Sequence, residues 1–195
     1  DHKRIIYNGN NYSQDWVEEA IRRGLPILKS SADAFRTLID PKNIDLFDRY
    51  HVFSPKESSA RYEIQLENYI HVIQMSFTML EIAKRQIIPS CIKYSGKIAQ
   101  SLHEITACGM TPKRIQNHLE TVTESVESIM ALTDELERIL NLSTSFTDPY
   151  RRAQYMAGDV CDAMARLRAR CDALETIVDQ KDWPMPTYTD LLHRI

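Results

Sequence analysis

The feature that most constrains this chain is one apolar stripe. Leu66, Ile70, Ile73, Phe77, Leu80, Ala83, Ile87, Cys91, Tyr94, Ile98, Leu102 and Ile105 recur in steps of three and four residues, the period at which one face of an α-helix repeats. The stripe crosses Pro89 without losing phase, so this proline is expected to kink the helix rather than end it. Upstream, Ser54-Pro55-Lys56-Glu57 has the pattern of a capping box, in which the serine hydroxyl serves the amide of Glu57 and the glutamate reaches back to the amide of Ser54. A helix running from there to about residue 106 is on the order of 75 Å long at ~1.5 Å per residue.

One long stripe requires others to pack against. After a break at Gly109 and Thr111-Pro112, a second stripe follows with Ile115, Leu119, Val122, Val126, Ile129, Leu136 and Leu140, in which Thr133 is the weak position. Asp148-Pro149 restarts a third, with Ala153, Met156, Val160, Met164, Leu167, Cys171, Leu174 and Val178. Short loops between long helices favour antiparallel neighbours. The expected fold is therefore all-α: a long antiparallel bundle of three helices over 54–180, the first overhanging the shorter two.

Residues 1–53 read as a collar of short helices and turns. Arg4 to Tyr12 is expected to be extended and to turn at Asn8-Gly9. A helix capped by Ser13 should follow and stop at Gly24, and two more should span Ser31 to Ile39 and Pro41 to Arg49. In the last, Asp40 caps and Pro41 takes the first helical position. The tail, 181–195, passes Trp183-Pro184 and Pro186 into a short helix at Thr189 to His193 and is expected to pack back on the collar or a neighbouring domain.

Composition supports this reading. The 195 residues include only five glycines, which favours helix over a turn-rich β-fold, and a chain of this length buries roughly 70 % of its unfolded surface without a metal or disulfide staple. A formal net charge of −3 provides no positive field for nucleic acid. No apolar run reaches the ~20 residues of a membrane-spanning helix, and no signal-peptide stretch opens the chain, so a soluble protein is expected. Cys91, Cys108, Cys161 and Cys171 form no Cys-x-x-Cys pair and read as reduced packing residues, as suits the cytoplasm. The sequence starts at Asp1 inside a dense stretch, DHKRIIYNGNNYS, and reads as part of a longer protein.

Phosphate-binding glycine loops, a nucleophile elbow and a His-Glu-x-x-His pair are all missing from the sequence. A di-iron bundle would need Glu-x-x-His pairs, and Asp190-x-x-His193 is the nearest imitation. It reads as a solvated helix face. Glu67 and His71 stand one turn apart with Glu63 a turn earlier, which suits a polar surface or subunit-contact pair more than an acid or base. Arg166, Arg168 and Arg170 point in different directions and should form surface ion pairs. Met75, Met79, Met130, Met156 and Met164 fall at helical spacing and read as core rather than as a plastic groove. No catalytic, cofactor-binding or metal-binding residue is assigned.

KRIIYNGNNYSQDWVEEAIRRGLPILKSSADA (Lys3 to Ala34), PKNIDLFDRYHVFSPKE (Pro41 to Glu57), SSARYEIQLENYI (Ser58 to Ile70) and LETIVDQKDWPMPTYTDLLHRI (Leu174 to Ile195) resemble, in order, the C-terminal region of the type III glutamine synthetases. The middle helices resemble it mainly by pattern. Gly158-Asp159-Val160-Cys161-Asp162 departs from it, standing where a Pro-containing stretch is expected, and the hairpin after Ile105 is short. The resemblance implies a parent enzyme that joins glutamate and ammonia using ATP and Mg or Mn, through a γ-glutamyl phosphate, in stacked homo-oligomeric rings. Its catalytic groups belong to upstream domains, none of whose motifs match here. The implied role is a non-catalytic segment for assembly or regulation, whose partners are other domains and subunits of the same enzyme. The alternative is a stand-alone helical interaction module.

Overall fold

The computed structural model describes residues 6–186 and 188–193, and every regular element in them is helical. The chain forms two compact units that meet in sequence between Tyr69 and Ile70.

In the first unit the short helices are α1 (Gln14–Arg22), α2 (Ser31–Phe35) and α3 (Pro41–Arg49). A 3₁₀ segment, Arg36–Ile39, continues α2. Local chemistry sets their ends. Ser30 accepts from the amide of Asp33, and Asp40 accepts from the amide of Lys42 at 2.9 Å with Pro41 in the first turn. α1 closes in a Schellman arrangement, with Gly24 at φ +71 and the amide of Leu25 bonded to the carbonyl of Ala20. α3 closes in the same way, but His51 takes the left-handed position at φ 53.

One expectation for this region is corrected. Ser13 occupies the cap position of α1, yet its hydroxyl donates to the carbonyl of Asn10 instead of capping. The chain bends at Gly9, and a hydrogen-bonded turn follows at Asn10 to Ser13, where the Asn10 side chain accepts from the amide of Tyr12 at 3.0 Å; Arg4 and Ile5 lie outside the described residues. The capping box forms as the sequence suggests: the Ser54 amide donates to Glu57 Oε2 at 2.8 Å, and the Glu57 amide to Ser54 Oγ at 3.3 Å. Those bonds hold the Glu57 carboxyl below its ordinary range.

From this box α4 (Pro55–Ile73) starts, followed by α5 (Ser76–Ile82), a π turn over Ala83–Ile87, and α6 (Ile88–Ala107). Pro89 does not end the helix. It cannot donate to the carbonyl of Arg85, and its ring would crowd that oxygen in a regular α-turn. The backbone widens by a π turn just before it and then continues to Ala107. The extra residue carries the buried face from Ala83 and Ile87 to Cys91.

The helix is also interrupted at Gln74-Met75, which the stripe does not reveal. The break resets the phase. Ser76 becomes fully buried, while Phe77, expected in the core, is 47 % exposed. Met75 and Met130 likewise face outward, against expectation, whereas Met156 is buried.

In the second unit α7 (Lys113–Ser143) is the central element, contacted by α5, by both π turns, by α6 and by α9 (Cys161–Glu175). α8 (Pro149–Tyr155) is capped by the Asp148 side chain, which accepts from the amide of Tyr150, and joins α9 through a second π turn at Met156–Val160. Val122, Ile129, Leu136, Leu140, Met156, Val160 and Leu167 have no exposed surface at all. Thr133, the weak position, is buried too, and its hydroxyl returns to the carbonyl of Ile129 at 2.6 Å, which removes the cost of burying it. A last short helix, α10, spans Tyr188–His193.

Candidate functional site

An open groove of about 730 Å³ lies between α7 and the α8 to α9 segment in the second unit. Buried Ile139 and exposed Leu142 line it together with Glu135, Arg138, Tyr155, Asp159, Asp162 and Arg166. Glu135 and Arg166 close it with two parallel bonds, each 3.0 Å, so the carboxyl is held below its usual range and the guanidinium above. Tyr155 packs against Phe146 with ring centroids 5.0 Å apart, and burial, then Asp159, pushes its hydroxyl pKa up. The groove thus presents both signs of charge beside Ile139 and Leu142. It pairs no nucleophile with a base.

A second polar cluster ties the first long segment to the C-terminal part. The Tyr94 hydroxyl donates to the carbonyl of Ile177 at 3.3 Å and lies 3.1 Å from His118 Nε2. One turn on, Lys97 Nζ holds both oxygens of Asp182. Cys91 and Cys171 lie in the same core, and burial pushes both thiols up to about 11.

The residues singled out from sequence take mostly structural places. Glu63, Glu67 and His71 all stand exposed on α4, with no bond between Glu67 and His71. Arg166 pairs with Glu135 and Arg168 with Asp172, as expected for surface ion pairs. Asp190 lies on α10, and the His193 side chain is outside the described residues. Among the described residues no group of three or more His, Cys, Asp or Glu is gathered as a metal site would require. The groove itself is not signalled in the sequence, since Glu135 and Arg166 stand 31 residues apart on different helices.

This arrangement defines a helical packing module: two units, the second with a closed apolar core and ion pairs on its surface. The sequence pattern of the glutamine synthetase C-terminal domain matches residues 1–106, and the chain belongs to that family. It is 31 % identical over 98 % of its length to the type-3 glutamine synthetase of Dictyostelium discoideum, and 32 % identical over 98 % to the glutamine synthetase of Butyrivibrio fibrisolvens. Identity to the glutamine synthetase of Bacteroides fragilis is 23 % over 96 % of the chain. The chain spans 27 %, 28 % and 27 % of those relatives. A match along nearly the whole chain does not favour the stand-alone module. No described helix is long and apolar enough to cross a membrane.

Proposed function

We propose that this chain serves as the helical C-terminal segment of a type III glutamine synthetase and acts in assembly or regulation of that enzyme rather than in its chemistry. The observation that carries the reading is the match over 98 % of the chain to relatives of which it is only 27 % and 28 %. The parent activity, ATP-dependent joining of glutamate and ammonia in homo-oligomeric rings in the cytoplasm, is part of the same proposal. That reaction calls for ATP and Mg or Mn. The donor set described here does not fit such a metal, because no three ligating side chains converge and Glu135 is engaged by Arg166. No step is assigned to this chain's residues.

The reading includes the division into a collar over 1–53 and an antiparallel three-helix bundle over 54–180. Two cross-links support the bundle: Lys84 reaches Glu137 at 2.7 Å and Tyr94 reaches His118 at 3.1 Å, so the pairs run in opposite order along the two helices. Deleting residues 54–195 from the parent enzyme is the test. A changed ring size by light scattering, or a changed response of the steady-state kinetics, is expected. Unchanged size together with unchanged kinetics sinks the reading.

A further inference from the structure

We infer that the apolar surface centred on Ile21 and the Leu25-Pro26-Ile27-Leu28 connector is the seat on which the catalytic part of the same polypeptide docks. The inference rests on the synthetase reading above. The two units differ in how they satisfy their apolar side chains. Beyond α4 the second unit fills a core of its own, with Val122, Ile129, Leu136 and Leu140 at 0 % exposure. Among the described residues of the first unit the buried apolar side chains are Ala20, Ala32 and, on α4, Leu66, a small core for four helices even with the ring contacts of Phe35 on Tyr69 and Phe47 on Phe53. Over the same stretch Ile21 is 63 % exposed, Leu25 42 %, Leu28 47 %, Tyr50 68 % and Val52 55 %.

A single exposed leucine means nothing, but four consecutive apolar residues held outside any regular element are unusual on a free surface. The connector is held in place at its start, where the amide of Leu25 bonds to the carbonyl of Ala20 and Gly24 supplies the left-handed turn. α1 therefore presents Ile21 beside a preformed apolar run. The occupant follows from length. About three quarters of each relative lies outside the matched span, and the family is that of a C-terminal domain, so a preceding part of the same polypeptide is the occupant long enough to cover the collar. Docking desolvates the collar and enlarges its small core.

The test is hydroxyl-radical footprinting of the full-length enzyme, with labelling normalised to each residue type. Ile21, Leu25 and Leu28 are compared with Val72, Ile92 and Leu142, which are similarly exposed at 61 %, 53 % and 47 %. Labelling of the first three should fall on the order of tenfold below the second three, as for residues in a desolvated interface core. Equal labelling overturns the inference. Protection that disappears when the enzyme is dissociated to monomers also overturns it, because the occupant is then a second copy. Either failure leaves the deletion experiment on 54–195 free to stand, and failure of that experiment leaves the footprint to be read independently.

Discussion

Lys97 Nζ donates to both carboxylate oxygens of Asp182, at 2.7 and 2.6 Å, and the two partners are unequally buried: the Asp182 side chain is 6 % exposed, that of Lys97 55 %. Lys93 stands further off at 4.0 Å. The inequality makes the two deletions different. Asp182→Asn leaves a lysine that water can solvate, whereas Lys97→Met leaves a nearly buried carboxylate with its close partner gone. Lys97→Met should therefore destabilise the anchored stretch around Trp183 by about 1 kcal/mol more than Asp182→Asn does. Denaturant unfolding followed by fluorescence of the buried Trp183 reads this, with Trp16→Phe removing the other tryptophan. Equal losses would mean that the contact is screened and contributes little.

The core of the second unit should show cavity behaviour. Leu136 and Ile129 have 0 % exposure on the central helix, so Leu136→Ala and Ile129→Ala should each cost about 2 to 5 kcal/mol. By contrast Leu142→Ala, on the same helix and 47 % exposed, should stay within about 0.5 kcal/mol. A chemical denaturation series of the three variants checks the contrast, and similar losses at all three would place the core elsewhere.

Ser76 yields an opposite expectation. Its hydroxyl is buried with no hydrogen-bond partner at the start of α5, so Ser76→Ala removes an unsatisfied group and no bond. Stability should be unchanged or higher by up to about 1 kcal/mol. A clear loss in thermal unfolding would show that the hydroxyl has a bonded role at the Gln74-Met75 break.

Which features were legible in the sequence follows from how local their causes are. The capping box at Ser54 and Glu57 and the Asp-Pro starts at 40–41 and 148–149 involve neighbours within three residues, and all three form. The Gly24 stop is equally local. The break at Gln74-Met75 has no Gly or Pro to announce it, and so the periodic reading put Phe77 where Ser76 lies. The sequence places a kink at Pro89, and the departure from regular α-helix lies upstream of it, as the π turn at Ala83–Ile87. The groove at Glu135 and Arg166 depends on which helices pack together, and no spacing rule within one helix reports that.

The cysteines should separate cleanly by reactivity. Cys91 and Cys171 are buried with thiols pushed up to about 11, chiefly by desolvation, and Cys161 is raised in the same direction for the same reason. Only the thiolate attacks a disulfide reagent, so both burial and protonation protect these groups. Cys108 is exposed beside the left-handed Gly109. Native protein at pH 8 should thus show one fast thiol, lost in Cys108→Ser, with Cys91 and Cys171 reacting only as the protein unfolds. Rapid modification of Cys91 without loss of helical circular dichroism would contradict the closed core.

Glu19 provides a pH test of the first unit. Arg22 donates to it through Nε at 2.7 Å and Nη2 at 2.6 Å, and Arg23 through Nε at 2.5 Å. These bonds, Arg22 first, lower its carboxyl from 4.5 to about 2. Because the folded value lies below the unfolded one, the contribution is fully present above about 4.5 and disappears as pH falls through about 2. Salt should weaken the Arg22 contact, 74 % exposed, more than that of Arg23, 21 % exposed. The Glu19 carboxyl resonance should accordingly titrate near 2 in low salt and move upward in Arg22→Ala, with amide exchange in Gln14–Arg22 accelerating over the same interval. A midpoint at 4.5 in the unmodified chain would mean that the two arginines do not close on Glu19 in solution.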